Sequence, residues 1–210
     1  MITAKLVIFL AITGVASYLL GGINGAIIAS TSFFKKDIRN YGSGNAGLTN
    51  FARIFGSRGI LIVVITDAVK TIISVLLGGW LLGLVGFPMV GKMFAGFCVM
   101  LGHVYPVYYR FKGGKATLCC GTLAWMIDWR VGLVCWGAFI IVVVFTKYVS
   151  LASVTCCLLL PITIWIFGYS GLEGVLGLLC AILLIFAHRE NIKRLLNGTE
   201  SKLAIGKKGE

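Results

Sequence analysis

The sequence predicts an all-α polytopic membrane protein of about seven transmembrane helices, with the N-terminus outside and the C-terminus cytoplasmic. Three observations predict it. The 210 residues are 59% hydrophobic and only 12% charged, with a mean hydropathy of +0.98, a composition foreign to soluble domains. Apolar stretches recur between short polar breaks, and a simple crossing needs about 20 apolar residues. Finally, when the stretches are alternated across a bilayer, 15 of the 19 Lys and Arg residues collect on one side, as cytoplasmic loops require. Lys5, Lys92 and Arg130 are the outer exceptions, and Lys70 falls within a span. One domain, residues 1–210, is enough for a chain of this length.

Taken in order, residues 2–30 are too long for a signal-peptide core and predict a retained helix. It is interrupted at Gly21-Gly22-Ile23-Asn24-Gly25. Residues 35–53 form a basic, glycine-rich loop that runs on to Arg58. Residues 59–82 and 90–109 predict two further spans, separated by a turn at Pro88. Residues 110–115 are a second basic loop. Residues 116–127 are apolar but short, leaving open a full, oblique or re-entrant passage. Residues 131–145, 154–167 and 172–187 supply the last spans, with a polar break at 146–153 and a turn at Gly168-Tyr169-Ser170-Gly171. From His188 the chain is polar.

The net charge of +12 does not point to nucleic acid. The basic residues sit in short loops between spans, where topology and anionic lipid or phosphate ligands account for them. The seven Cys residues lie in apolar segments without metal-ligand spacing, which predicts reduced, packed thiols.

Three polar segments carry the chemistry. Residues 37–53 read DIRNYGSGNAGLTNFAR, residues 102–115 read GHVYPVYYRFKGGK, and residues 187–200 read AHRENIKRLLNGTE. Glycines bring backbone N–H groups close to an anion, and Lys or Arg supplies the opposite charge. Two such loops on one membrane face suggest a phosphorylated small molecule, although either loop alone also reads as a basic turn that fixes topology. His188 and Asn191 share a helix face, and His188 is either part of an interfacial helix end or a substrate hydrogen-bonder and base. Asp67 and Lys70, at i and i+3, read as a structural ion pair. Ser150 and Ser153 read as helix caps or ligand contacts.

In these segments the chain resembles the bacterial acyl-phosphate:glycerol-3-phosphate acyltransferases of the PlsY type, with weaker agreement at Asp67, Lys70 and the SLAS of residues 150–153. The resemblance implies a multi-pass enzyme of the bacterial inner membrane with its active site facing the cytoplasm. It would transfer a fatty acyl group from acyl phosphate to the 1-hydroxyl of glycerol 3-phosphate, giving lysophosphatidic acid and phosphate. By the family pattern, Ser43, Lys115, His188 and Asn191 belong to the catalytic set. Asn45, Arg53, Lys112, Gly113, Gly114 and Ser153 belong to substrate binding, and Asp67, Lys70 and Glu200 to the supporting structure. No cofactor or metal is implied. The partners are the two substrates, membrane lipid and, functionally, the enzyme that makes acyl phosphate. The chain departs from the pattern at Ala116, where a glycine is usual, at Leu48, where alanine is common, and at Ala187, where a basic residue is usual.

Acyl phosphate is a mixed anhydride with a good leaving group, so positioning and anion stabilisation are expected to dominate. Direct attack by the substrate hydroxyl is expected, without an acyl-enzyme. Two other classes bind phosphate in membranes. A CDP-alcohol phosphotransferase needs several spaced Asp residues for a metal pair, and this chain has only Asp37, Asp67 and Asp128. An anion transporter would move substrate without chemistry, and no inverted repeat stands out.

Overall fold

The computed structural model describes residues 2–169 and 171–203. Ser170 of the expected turn, and Lys207 and Lys208 of the cytoplasmic charge set, lie outside the described residues. Among the described residues the regular structure is helical: α1 Ile2–Gly22, α2 Gly25–Phe34, α3 Leu48–Phe55, α4 Ile60–Gly83, α5 Pro88–Val104, α6 Thr117–Ile127, α7 Trp129–Thr146, α8 Val149–Ile166, α9 Leu172–Ala187 and α10 Arg189–Leu196.

Among the described residues, five helical stretches are long and apolar enough to cross a membrane, or six if α9 and α10, bent by 62° at His188, count as one. Large apolar side chains point outward, Trp165 being 71% exposed. In water such a surface would aggregate; in a bilayer it meets lipid. With 11 residues, α6 is about 16 Å long, short of the roughly 30 Å hydrocarbon core. It is too short to cross by itself.

Helix ends follow local chemistry. The break expected near Gly21–Gly25 divides α1 from α2, and Asn24 caps α2 by accepting from the Ile27 N–H. Asp128 caps α7 in the same way through the Arg130 N–H, and it also accepts from the Tyr169 hydroxyl. This ties the α6–α7 junction to the α8–α9 turn. Two sequence expectations need correction. The polar break at 146–153 shrinks to Lys147 and Tyr148, because Val149–Ile166 is one helix. Ser153 is tolerated inside it by donating to its own Val149 carbonyl. The loop at 35–53 leads into a helix, α3, whose Phe55 stacks on Phe34 while Phe51 meets the same ring edge-on.

Packing depends on small residues, as it does between membrane helices. The backbones of α4 and α5 meet at Gly78 and Gly91, where a Cβ on either glycine would lie within 2.3 Å of the other's carbonyl oxygen. The main core gathers α5, α6, α8 and α9 around Met93, Leu123, Leu160 and Leu184. All seven cysteines are buried free thiols.

Candidate active site

The first polar loop is held from inside by one side chain. Asn50, 2% exposed, accepts from the Ser43 N–H and donates to the Tyr41 and Asn45 carbonyls, each at 3.0 Å. The loop wraps so tightly that a Cβ at Gly42 would sit 2.3 Å from Asn50 Oδ1, and Gly42 has φ +59. Both conditions call for glycine. Asn24 donates to the Ala46 carbonyl at 3.0 Å, which fastens the loop to the α1–α2 break. Ser43, Asn45 and Arg53 then line a common cavity.

The second loop behaves differently. A Cβ at Gly114 would fall 2.2 Å from His103 Nε2 and 2.6 Å from the Ala46 carbonyl, and one at Gly113 would fall 2.1 Å from the His103 carbonyl. The glycine doublet is thus where the second loop presses against α5 and the first loop. Of the substrate-binding residues expected here, Gly113 and Gly114 stand beside the cavity rather than in its lining, and the Lys112 side chain is exposed outside it. Only Lys115 reaches in from this loop. The next residue, Ala116, has φ +58. An L-residue pays roughly 1–2 kcal/mol there, which explains why glycine suits the position better than the alanine present.

The third segment turns at His188 and sends α10 across the rim. His188 Nδ1 lies 2.9 Å from the Leu184 carbonyl. A carbonyl only accepts, so Nδ1 carries the proton and Nε2 is left as an acceptor. Burial holds the His188 pKa down to about 4, so the ring is neutral at physiological pH. Lys115 donates to Asn191 Oδ1, and Asn191 Nδ2 donates to Glu200 at 2.7 Å. Glu200 also accepts from Ser150 at 2.8 Å and Arg194 at 2.7 Å, and these bonds outweigh its burial and hold its pKa below the usual range. Glu200 therefore joins α8, α10 and, through Asn191, the Lys115 ammonium. Burial, then the positive charges of Arg194 and Arg53, push Lys115 down to about 8.

Neither serine near the start of α8 is a helix cap: Ser150 binds Glu200, Ser153 bonds back to Val149, and both line the cavity. Arg53 Nη2 donates to Ser201 at 2.7 Å. Behind the cavity, Lys70 Nζ lies 2.7 Å from Asp67, 2.8 Å from His103 Nδ1, and 3.0 and 2.7 Å from the Gly21 and Ile23 carbonyls. Those carbonyls are the ones released by the α1–α2 break. Asp67 and His103 reach the cavity, whereas Lys70 remains behind them.

The cavity has a volume of about 230 Å³ and two unlike sets of lining residues. One is cationic and hydrogen-bonding, with Ser43, Asn45, Arg53, Lys115, His188, Asn191 and Arg194. The other is apolar, with Leu118 and Gly121 of α6, Trp136 and Phe139 of α7, and Val149 and Cys156 of α8. Such a lining is suited both to a phosphate and to a hydrocarbon. Sequence reasoning did not assign Asn24, Asn50, His103, Arg194 or Trp136 to the site. His103 and Asn50 stood inside quoted motifs; Trp136 had no signal, because an apolar residue in an apolar span looks like any other.

The family model for "Glycerol-3-phosphate acyltransferase" matches residues 11–198. A glycerol-3-phosphate acyltransferase of Thermoanaerobacter pseudethanolicus is 42% identical over 192 residues, covering 91% of this chain and 94% of the relative. Glycerol-3-phosphate acyltransferase 2 of Bacillus anthracis is 38% identical over 192 residues, covering 91% and 98%. Among solved structures, the crystal structure of PlsY (YgiH), an integral membrane glycerol 3-phosphate acyltransferase in its glycerol 3-phosphate form, superposes with a TM-score of 0.84. The identity is 31%, over 93% of this chain and 96% of that one. The lysophosphatidic acid form of the same enzyme gives a TM-score of 0.82 at 29% identity, over 93% of this chain and 95% of that one.

Proposed function

The chain belongs to the glycerol-3-phosphate acyltransferase family and is a multi-pass membrane acyltransferase of phospholipid synthesis; from that premise we propose the donor, the orientation and the roles of its residues. The donor is acyl phosphate, the acceptor is the 1-hydroxyl of glycerol 3-phosphate, and the products are lysophosphatidic acid and phosphate. The observation that carries this reading is the single cavity with a cationic rim and an apolar end. Two phosphates fit the rim, held by Arg53 and Lys115, and the acyl tail fits between α6, α7 and α8.

The acceptor oxygen attacks the acyl carbonyl carbon, forming the ester C–O bond as the bond to the phosphate oxygen breaks. Lys115 and Arg53 stabilise the charge that develops on the departing phosphate. The hydroxyl proton goes to His188 Nε2, free and neutral, or to a substrate phosphate oxygen. Ser43 and Asn45 orient the substrates from the first loop, and Ser153 contacts them from α8. Asn191 aims the Lys115 ammonium, with Glu200 holding Asn191. The Asp67–Lys70 pair braces His103. Lys112, exposed and away from the cavity, acts at most through long-range charge.

The orientation follows from the charge asymmetry. The N-terminus is outside, the C-terminus and the cavity rim are cytoplasmic, and the membrane is the bacterial inner membrane. The whole of residues 1–210 is one domain with seven passages, of which α6 is a partial one made up by the inward-dipping second loop. The enzyme that supplies acyl phosphate is its functional partner.

The test is to incubate purified protein with acyl phosphate and glycerol 3-phosphate and assay lysophosphatidate. Product is expected with acyl phosphate, while acyl-CoA and acyl carrier protein thioesters substitute poorly. A covalent acyl-enzyme at Ser43 or any cysteine, seen by mass spectrometry, would contradict direct attack.

A further inference from the structure

We propose that Trp136 sets the length of acyl chain that the enzyme accepts, and that Gly121 is what seats it. This rests on the reading of the apolar end of the cavity as the acyl subsite. The Trp136 indole N–H donates to the Gly121 carbonyl at 3.1 Å. A Cβ at Gly121 would lie 2.8 Å from Nε1 and 2.9 Å from two further indole carbons. The ring therefore fills the space a side chain on α6 would occupy, bridging α7 to α6 at the cavity wall. Phe139, one turn on, braces it with ring centroids 5.6 Å apart.

The seat is fixed, since an indole N–H away from water holds to an available acceptor. Its depth is also defined. Ser150, near the start of α8, bonds to Glu200 at the cationic rim, so the adjoining end of α7 lies at the rim. Trp136 precedes the last residue of α7, Thr146, by ten positions, about 15 Å along the helix. The indole tip is nearer, because its seat at Gly121 is only four positions into α6, about 6 Å, so a hydrocarbon entering from the rim meets the ring between about 6 and 15 Å. Trp136 is a specificity residue with no part in the chemical step.

The experiment compares kcat/KM for acyl phosphates of about 12 to 18 carbons at saturating glycerol 3-phosphate, in the wild type and in Trp136→Ala, Trp136→Leu and Gly121→Ala. Ratios between chain lengths do not depend on how much of each variant folds. Both Trp136 variants are expected to move the long-to-short ratio toward longer chains by about tenfold or more, the scale of one or two methylenes in a pocket. The KM for glycerol 3-phosphate should be unchanged. Gly121→Ala, which displaces the ring, should also alter the ratio. Equal losses at all lengths in the Trp136 variants would show a packing role and overturn the proposal alone. A wild type that makes no lysophosphatidate from any acyl phosphate would overturn the donor reading and this proposal together.

Discussion

Residues 42–47 and 112–115 both put glycines beside polar or basic side chains, and the fold uses them in opposite ways. The first loop folds around Asn50 and turns Ser43 and Asn45 into the cavity. The second spends its glycines on close contact with His103 and Ala46 and contributes one side chain, Lys115. A glycine beside a lysine can mark an anion cradle or a place where two backbones need room, and the sequence is the same for both. Only the neighbours across the contact distinguish them.

The largest effect should come from removing the one group the second loop contributes. Lys115→Ala is expected to lower turnover by about 10²-fold or more, as does loss of a preorganised charge at a transition state, with membrane insertion intact. Arg53→Ala should behave alike from the first loop. Activity of either variant near the wild-type level would remove that side chain from the rim.

Next come the residues that shape each loop. Asn50→Ala leaves two part-buried carbonyls and one N–H without their partner, each worth at most about 1–3 kcal/mol. Gly114→Ala inserts a methyl into His103 and Ala46, an overpacking of about 1–3 kcal/mol. Both should lower thermal stability in detergent. Asn50→Ala should also raise the KM for glycerol 3-phosphate, because it frees Ser43 and Asn45. If Gly114→Ala raised that KM while leaving stability untouched, the doublet would be an anion site after all.

A pH profile is a subtler probe. Lys115, held down to about 8 from 10.5, loses its charge as pH rises through about 8, so kcat/KM should fall there. Folding should respond with the opposite sign. Between about 8 and 10.5 the unfolded chain still binds a proton that the folded chain has released, so this group favours folding increasingly as pH rises. An activity loss without unfolding is the expected signature. His188, neutral down to about 4, should add no inflection between pH 5 and 7. The smallest effect is reserved for Lys112→Ala: the exposed side chain lies off the cavity, and both activity and stability should stay near wild type, within about 0.5 kcal/mol. A large loss of phosphate affinity would return Lys112 to the substrate set.

Sequence alone determined the features that depend on near neighbours. Runs of apolar residues fixed the membrane class, because a bilayer forces each run to satisfy its own backbone hydrogen bonds. The glycine-asparagine break at residues 21–25, the seven buried thiols and the three polar segments were legible for the same reason. Their motif resemblance was specific enough to name a family before any geometry was known. Tertiary structure alone decided which residues of those segments face one another. Glu200 as the tie between α8 and α10 and Trp136 lying against Gly121 pair residues on separate elements, and Asn50 becomes the loop's internal anchor only when residues 41–45 fold back over it. Side chains of that kind acquire a role only when helices pack, and membrane packing turns on small residues and contacts that leave no periodic trace in the chain.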